Sequence, residues 1–270
     1  SVAGESLPAP QIQQIRNATI KITFGGKTIL VDPMLAPKDA FPPIPESFNP
    51  NLTFPLVDLP LPIDEIISAD AVIVTHLHVD HFDEMAVEAL TKDMLLIAQD
   101  DTDAGSLRGY GFTNVDTLEY EGTKLGDITI YKTDCIHGEK ESTMPYYDAM
   151  GIRWEASGFI LKHPSEEKVI YVAGDTIWSE GVQYALKYFQ PDVVVVNVAG
   201  AQLLTSGRII MDLRDLVEIV RATPKTTAII ASHLDTVGHA TVTRKDVRKL
   251  VNEYSFTNVL IPEDGETLTF

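Results

Sequence analysis

Residues 74–84 read VTHLHVDHFDE and follow the apolar run Ala71-Val72-Ile73 directly. Three histidines and two aspartates fall within the nine positions from His76 to Glu84. A solvated face has no need of that cluster behind a buried strand, and a packed core rejects unpaired charge. In extended chain His76 and His78, two apart, point to the same side and can grip one cation. Asp80 and His81 follow where the chain turns into a helix, so they can point at a second ion beside the first. Imidazole and carboxylate without thiolate suit zinc, with manganese or iron as the other fits.

Three further strands end in the same way. Ile170–Ala173 runs into Gly174-Asp175-Thr176, and Thr227–Ala231 into Ser232-His233-Leu234-Asp235. Ile128–Thr133 leads through Asp134-Cys135-Ile136 to His137-Gly138. Each metal-competent side chain sits just past the carboxyl end of an apolar strand, where backbone is held rigidly yet opens on a cleft. Five of the seven histidines occupy such positions, too many for scattered surface residues. His233 follows its strand at once, whereas His239 lies six residues on, past Gly238. His233 is therefore the preferred ligand, and His239 is left to stand beside the ligands or to face substrate. His163, in the turn HPSEE, reads as solvated surface. With two divalent ions roughly 3.5–4 Å apart, a water between them is deprotonated near neutral pH and attacks a carbonyl or phosphorus.

Composition narrows the class. The chain has 270 residues, 44% of them apolar, enough for a sizeable core. A formal charge of −18 with no basic stripe disfavours nucleic acid. No run of eighteen apolar residues offers a membrane span. The one cysteine, Cys135, excludes an internal disulfide framework and fits a reducing compartment. The expectation is a cytoplasmic protein with a small-molecule substrate, no nucleic-acid or membrane partner, and homo-oligomerisation left open. Residues 1–14 begin without Met and lack the apolar stretch of a secretory signal, so they are set aside as a disordered tag or processed end.

Along the rest, Thr19–Phe24 and Thr28–Val31 flank Gly25-Gly26 as a hairpin. Residues 33–62 hold nine prolines, which exclude regular helix and central strand. The interleaved Phe41, Phe48 and Phe54 favour an ordered cover loop over a loose one. Strands and helices then alternate: strands at 71–75, 94–98, 128–133, 159–162, 168–172, 193–197, 227–231, 259–261 and 267–270, and helices at 83–91, 101–110, 180–189, 212–221 and 243–253. Hairpins early and strand–helix alternation later fit two sheets with helices outside, a four-layer αββα sandwich formed by one domain over 15–270.

HLHVDH is the His-x-His-x-Asp-His signature of the metallo-β-lactamase superfamily, and the chain resembles that family from about Ile15 onward. TILVDP, THLHVDHFD, AGDT and SHLDTVGH together are similar to the small bacterial metal-dependent hydrolases grouped with the ascorbate-6-phosphate lactonases. The resemblance implies one metal on His76, His78 and His137 and another on Asp80, His81 and His233, with Asp175 as the bridging carboxylate. Taken alone, Asp175 in GDT is also good helix-cap chemistry, and His137 before a glycine turn could be plain surface. Beside the hexapeptide the bridging role wins for Asp175. Cys135, two residues before His137, does not match the cysteine ligand of the true zinc β-lactamases.

The resulting expectation is hydrolysis of an ester, lactone, amide or phosphodiester at a dinuclear site, with Asp80, Asp175 and His239 carrying the chemistry. Two rival classes are a mononuclear iron redox enzyme of the same fold and a metal-binding protein without catalysis. Near the cleft, Arg208 is a candidate anion clamp. Tyr146, Tyr147 and Trp154 are a candidate apolar wall with polar tips. Asp235 is placed to orient a histidine through its second nitrogen.

Overall fold

The computed structural model describes residues 6–270. Its strands are β1 (Gln11–Arg16), β2 (Thr19–Phe24), β3 (Lys27–Val31), β4 (Ala71–Val74), β5 (Leu96–Ala98), β6 (Val115–Thr117), β7 (Thr123–Leu125) and β8 (Ile128–Asp134). They continue with β9 (Ser157–His163), β10 (Glu166–Val172), β11 (Val193–Asn197), β12 (Gln202–Leu203), β13 (Gly207–Arg208), β14 (Ala228–Ser232), β15 (Val259–Leu260) and β16 (Thr267–Thr269). The helices are α1 (Ile63–Ile66), α2 (Glu84–Ala89), α3 (Asp101–Gly109), α4 (Lys140–Met150), α5 (Glu180–Phe189), α6 (Leu213–Ala222) and α7 (Arg244–Tyr254).

Local chemistry explains many of these boundaries. Gly25 and Gly26 take φ of 57° and 76°, the left-handed pair that a two-residue hairpin between β2 and β3 requires. Asp83, Asp100, Ser179, Asp212 and Thr243 each accept an N–H of the first helical turn that follows, and so start α2, α3, α5, α6 and α7.

Two seven-stranded sheets result, in the orders β16-β1-β2-β3-β4-β5-β6 and β15-β14-β11-β10-β9-β8-β7, with β12-β13 a separate ribbon. Strand faces sort their side chains with period two. In β4, Ala71 and Ile73 point between the sheets while Val72 and Val74 pack outward under α2 and α3. In β11, Val193 and Val195 point inward while Val194 and Val196 meet α5, α6 and α7. Both faces of each strand are covered, which is why these runs are apolar without alternation. Helices, sheet, sheet and helices stack in the expected αββα order.

Two segments differ from expectation. Gln11–Gln14, placed with the disordered end, form most of β1, which pairs antiparallel with β2 and with β16 at the far end of the chain. Its polar residues hid a strand whose Ile12 and Ile15 are buried. Residues 140–150, to which the sequence assigned no element, form α4 despite Pro145, and Gly151 closes it at φ 68°.

The proline-rich segment is tied down at its neck. Arg16, fully buried, donates from Nη1 to the Val57 carbonyl at 3.0 Å and from Nη2 to those of Met34 and Ala36 at 3.0 and 2.7 Å. Asp83 accepts the backbone N–H groups of Leu35 and Ala36 on the same turn. Beyond this neck, Phe41 and Phe54 form a short bridge. Met34, Phe54 and Val237 build a small core of their own, with Phe41, Ile44 and Ala240 against it.

Candidate metal centre

The parallel strands deliver their carboxyl ends to one edge of the sandwich. There β3 supplies Asp32, β4 supplies His76 and the turn to His81, β8 leads to His137, β10 to Asp175, β11 ends at Asn197, and β14 leads to His233. Potential ligand atoms cluster within 4.8 Å in two main sets, His76, His78 and His137, and Asp80, His81, Asp175 and His233, with Asp32, His76 and His81 a third that overlaps both. Most of these side chains are buried, with His76, His81 and His233 at 1% exposure or less.

Asp175 lies between the two sets. Its Oδ2 is 3.4 Å from His137 Nε2, 3.7 Å from His76 Nε2 and 2.9 Å from His81 Nε2. In the second set, His233 Nε2 is 3.1 Å from Asp80 Oδ2 and 3.3 Å from His81 Nε2. Donors that share one tetrahedral ion at 2.0–2.2 Å stand about 3.4 Å apart. The 3.3–3.7 Å separations fit a shared cation, while His81–Asp175 at 2.9 Å and His233–Asp80 at 3.1 Å are also hydrogen-bond lengths. His76 Nε2 is buried and has no hydrogen-bond partner among the described residues, which a cation would remedy.

Partners behind the rings fix which nitrogen faces inward. His81 donates Nδ1–H to Asp32 at 2.6 Å and His137 donates Nδ1–H to the Ile209 carbonyl at 2.7 Å, so both Nε2 atoms face inward. His78 donates Nε2–H to the Arg153 carbonyl at 2.6 Å, which frees Nδ1. Asp32 is fixed in turn by Thr75, through N–H at 2.7 Å and Oγ1 at 2.5 Å. Asn17 donates to the Asp80 carbonyl at 3.0 Å, and Asn197 donates to Asp175 Oδ1 at 2.8 Å. Asp32 and His233 both have positive φ, 47° and 68°, a strain of about 1–3 kcal/mol each that functional sites commonly hold.

Charge follows geometry. Burial, then the neighbouring rings, hold His76 well below the usual histidine range. Burial also lowers His137, and brings His78 to about 4. His81 is the exception: burial pulls it down, but Asp175, Asp80 and Asp32 outweigh that and raise it well above the usual value. The same ring, with His233, holds Asp80 and Asp175 ionised against the cost of burial. The centre thus favours charged Asp80 and Asp175 and neutral His76, His78 and His137, whereas His81 would release a proton to offer its Nε2 to a divalent ion.

Other expected residues are distributed differently. His239 is buried, its Nδ1 without a partner among the described residues; burial brings it to about 4, against the pull of Asp80 and Asp175. Tyr147 is buried, with ring centroids 5.2 Å from His78 and 5.7 Å from His137. Tyr146 is more exposed and donates to the Pro45 carbonyl on the cover at 3.1 Å. Trp154 donates to the Gly138 carbonyl at 3.0 Å, with the Lys140 ammonium over its ring. Arg208 is not a free clamp: it pairs with Asp215 and, at 3.2 Å, with Asp212, at the start of α6. Asp235, with φ of 59°, faces Arg244 at 3.4 Å, not a histidine. Cys135 is buried against the Ala173 carbonyl. His163 lies in its turn, accepting from Ser165 N. Asp32 does the work assigned to Asp235. It ends an apolar strand as the other site residues do, and that position was its signal.

Comparison with known proteins agrees with this architecture. A family described as "Beta-lactamase superfamily domain" matches residues 11–233. The chain belongs to the metallo-β-lactamase superfamily. It is 40% identical to the UPF0173 protein YddR of Bacillus subtilis, over 96% of this chain and 99% of that one. Among solved structures, an isothiocyanate hydrolase from Delia radicum gut bacteria is 40% identical, with a TM-score of 0.90 over 96% of this chain and 99% of the other. A protein described as a possible metal-dependent hydrolase from Veillonella parvula is 37% identical, with a TM-score of 0.92 over 97% and 100%. This chain is a metal-dependent hydrolase of that fold.

Proposed function

We propose that the chain hydrolyses small uncharged molecules at an electrophilic carbon, with two divalent cations held by His76, His78 and His137 and by Asp80, His81 and His233. Asp175 reaches both groups, and zinc suits the donor set best, ahead of manganese and iron. The observation that carries the reading is Asp175 Oδ2 within 3.7 Å of the inward nitrogens of His76, His81 and His137 at once. When bound, such a pair of cations supplies an activated water and polarises the bond under attack.

The protein's own groups do the rest. Asp32 and the Ile209 and Arg153 carbonyls fix the ligand rings, so no reorganisation is needed as charge develops. His239, neutral at physiological pH, offers an N–H to that charge. Tyr147, buried against the His78 and His137 rings, keeps bulk water off them.

Substrate charge is limited by the arginines. Arg208 and Arg153 are both engaged by aspartates, Arg153 with Asp100 at 2.9 Å and Asp103 at 2.7 Å. The chain's −18 charge adds a field that repels anions. Carboxyl derivatives and heterocumulenes therefore suit the centre better than phosphodiesters. The 40% identical isothiocyanate hydrolase makes isothiocyanates the first class to assay. Chelated protein reloaded with zinc or manganese is expected to consume an isothiocyanate, an ester or a lactone faster than the stripped control. Asp175→Asn is expected to lose at least 10³-fold in turnover while keeping its circular dichroism spectrum. Full activity in that variant would remove the bridging role, and one iron per chain with redox turnover would replace the hydrolytic reading.

A further inference from the structure

The loop that carries His239 is held by the proline-rich cover. Asn49 Nδ2 donates to the Gly238 carbonyl at 2.8 Å, and Ser47 Oγ lies 3.4 Å from the same oxygen. Leu56 N–H donates to the Thr236 carbonyl at 2.9 Å. Gly238 permits this approach: a Cβ there would stand 3.1 Å from Leu52 Cβ and 3.2 Å from the Leu52 carbonyl oxygen. Val237 and Ala240, on either side, pack into the cover's own small core with Phe54, Met34, Phe41 and Ile44. On the opposite side, Gln202 N–H donates to the His239 carbonyl at 3.1 Å, and β12 leads into a turn whose Leu204 N–H donates to the Glu46 carbonyl at 2.9 Å. Thr205 Oγ1 donates to Glu46 Oε2 at 2.7 Å. The cover's tip, the 202–208 ribbon and residues 236–240 thus form one bonded unit around the loop that carries His239.

This unit has a fixed base and a light tip. The neck is clasped by buried Arg16 and by Asp83. The tip is joined through Glu46 and Asn49, both exposed, and Glu46 has φ 59°, a left-handed conformation unfavourable for a residue with Cβ. The His239 imidazole has no hydrogen-bond partner at Nδ1 among the described residues, so its direction is set by its backbone.

We infer that Asn49 is a positioning residue: through the Gly238 carbonyl, the closed cover sets the place of His239 at the metal centre. Opening the tip withdraws His239, and closing it over a substrate completes the site. This rests on the role given to His239 above, and the test separates the two. Asn49→Asp keeps the shape and removes the donor, and Asn49→Ala removes the side chain; position 49 is exposed, so both variants fold.

Two readouts are needed. In the metal-loaded protein, carbethoxylation of His239 by diethyl pyrocarbonate, followed by mass spectrometry of its peptide, is expected to run several-fold faster in both variants than in the parent. With any substrate that turns over, kcat is expected to fall about five- to tenfold, the value of one hydrogen bond, with KM within twofold. Asn49→Gln, which restores a donor, is expected to recover part of the kcat loss and of the protection. Unchanged His239 modification in Asn49→Asp and Asn49→Ala overturns the inference, whatever the kinetics. Faster modification with unchanged kcat instead leaves the coupling standing and removes His239 from the chemistry.

Discussion

Asp32 shows how a single carboxylate governs the centre without being counted among its ligands. Its oxygens take Nδ1–H of His81 and both donors of Thr75, so the ring can face the cluster only with Nε2. Burial raises the acid's own pKa, and the bond to His81 works against that. Asp32→Asn keeps the shape and loses the charge that fixes the tautomer. Metal affinity measured by chelator competition is expected to fall about 10–100-fold. An affinity within twofold of the parent would show that Asp32 is structural only. At this scale the sequence was legible where residue type carries the chemistry: a histidine or aspartate just past an apolar strand. It was silent where backbone does the work, as with the Ile209 and Arg153 carbonyls, because any residue could provide them. Asn17 gave no signal either, since a turn asparagine is common for its backbone alone.

Elements were readable when their start or stop had side-chain chemistry of its own. Asp83, Asp100, Ser179, Asp212 and Thr243 announce five helices as caps. α4 has no such cap and contains Pro145, while β1, masked by Gln11, Gln13 and Gln14, pairs both with adjacent β2 and with β16, more than 250 residues away. Arg208 belongs to this scale too. It lies in β13, and its charge meets Asp212 and Asp215, the two members of the capping box that begins α6. Removing the guanidinium leaves Asp215, 4% exposed, without its cation. Arg208→Ala is expected to lower stability by about 1–3 kcal/mol, read as a shift in urea midpoint at constant slope. KM for an uncharged substrate is expected to stay the same. A raised KM at unchanged stability would return Arg208 to substrate binding.

Across the whole molecule, the two sheets share a plan that no residue-level repeat reveals. Each begins with antiparallel neighbours, β1-β2-β3 in one and β7-β8-β9-β10 in the other, and continues with parallel ones, β3-β4-β5-β6 and β10-β11-β14-β15. What repeats is strand direction, which side chains do not encode. The αββα layering was legible because it depends on burial of faces, whereas strand order depends on which edges meet. The plan sends the carboxyl ends of parallel strands from both sheets to one edge, so Asp32, His76 and His81 come from one sheet and His137, Asp175 and His233 from the other. A cation held between them, as proposed above, would join the halves of the sandwich and bind only when both are folded. At a free metal concentration 100 times Kd, that linkage is worth about 2.7 kcal/mol. For a chain of this size it corresponds to a melting temperature about 5–10 °C higher. Differential scanning calorimetry with zinc, with manganese and with chelator is expected to show that shift, largely lost in Asp175→Asn. The same melting temperature in all conditions, with metal bound stoichiometrically, would mean that the ion sits on one sheet alone and that the cross-sheet centre is wrong.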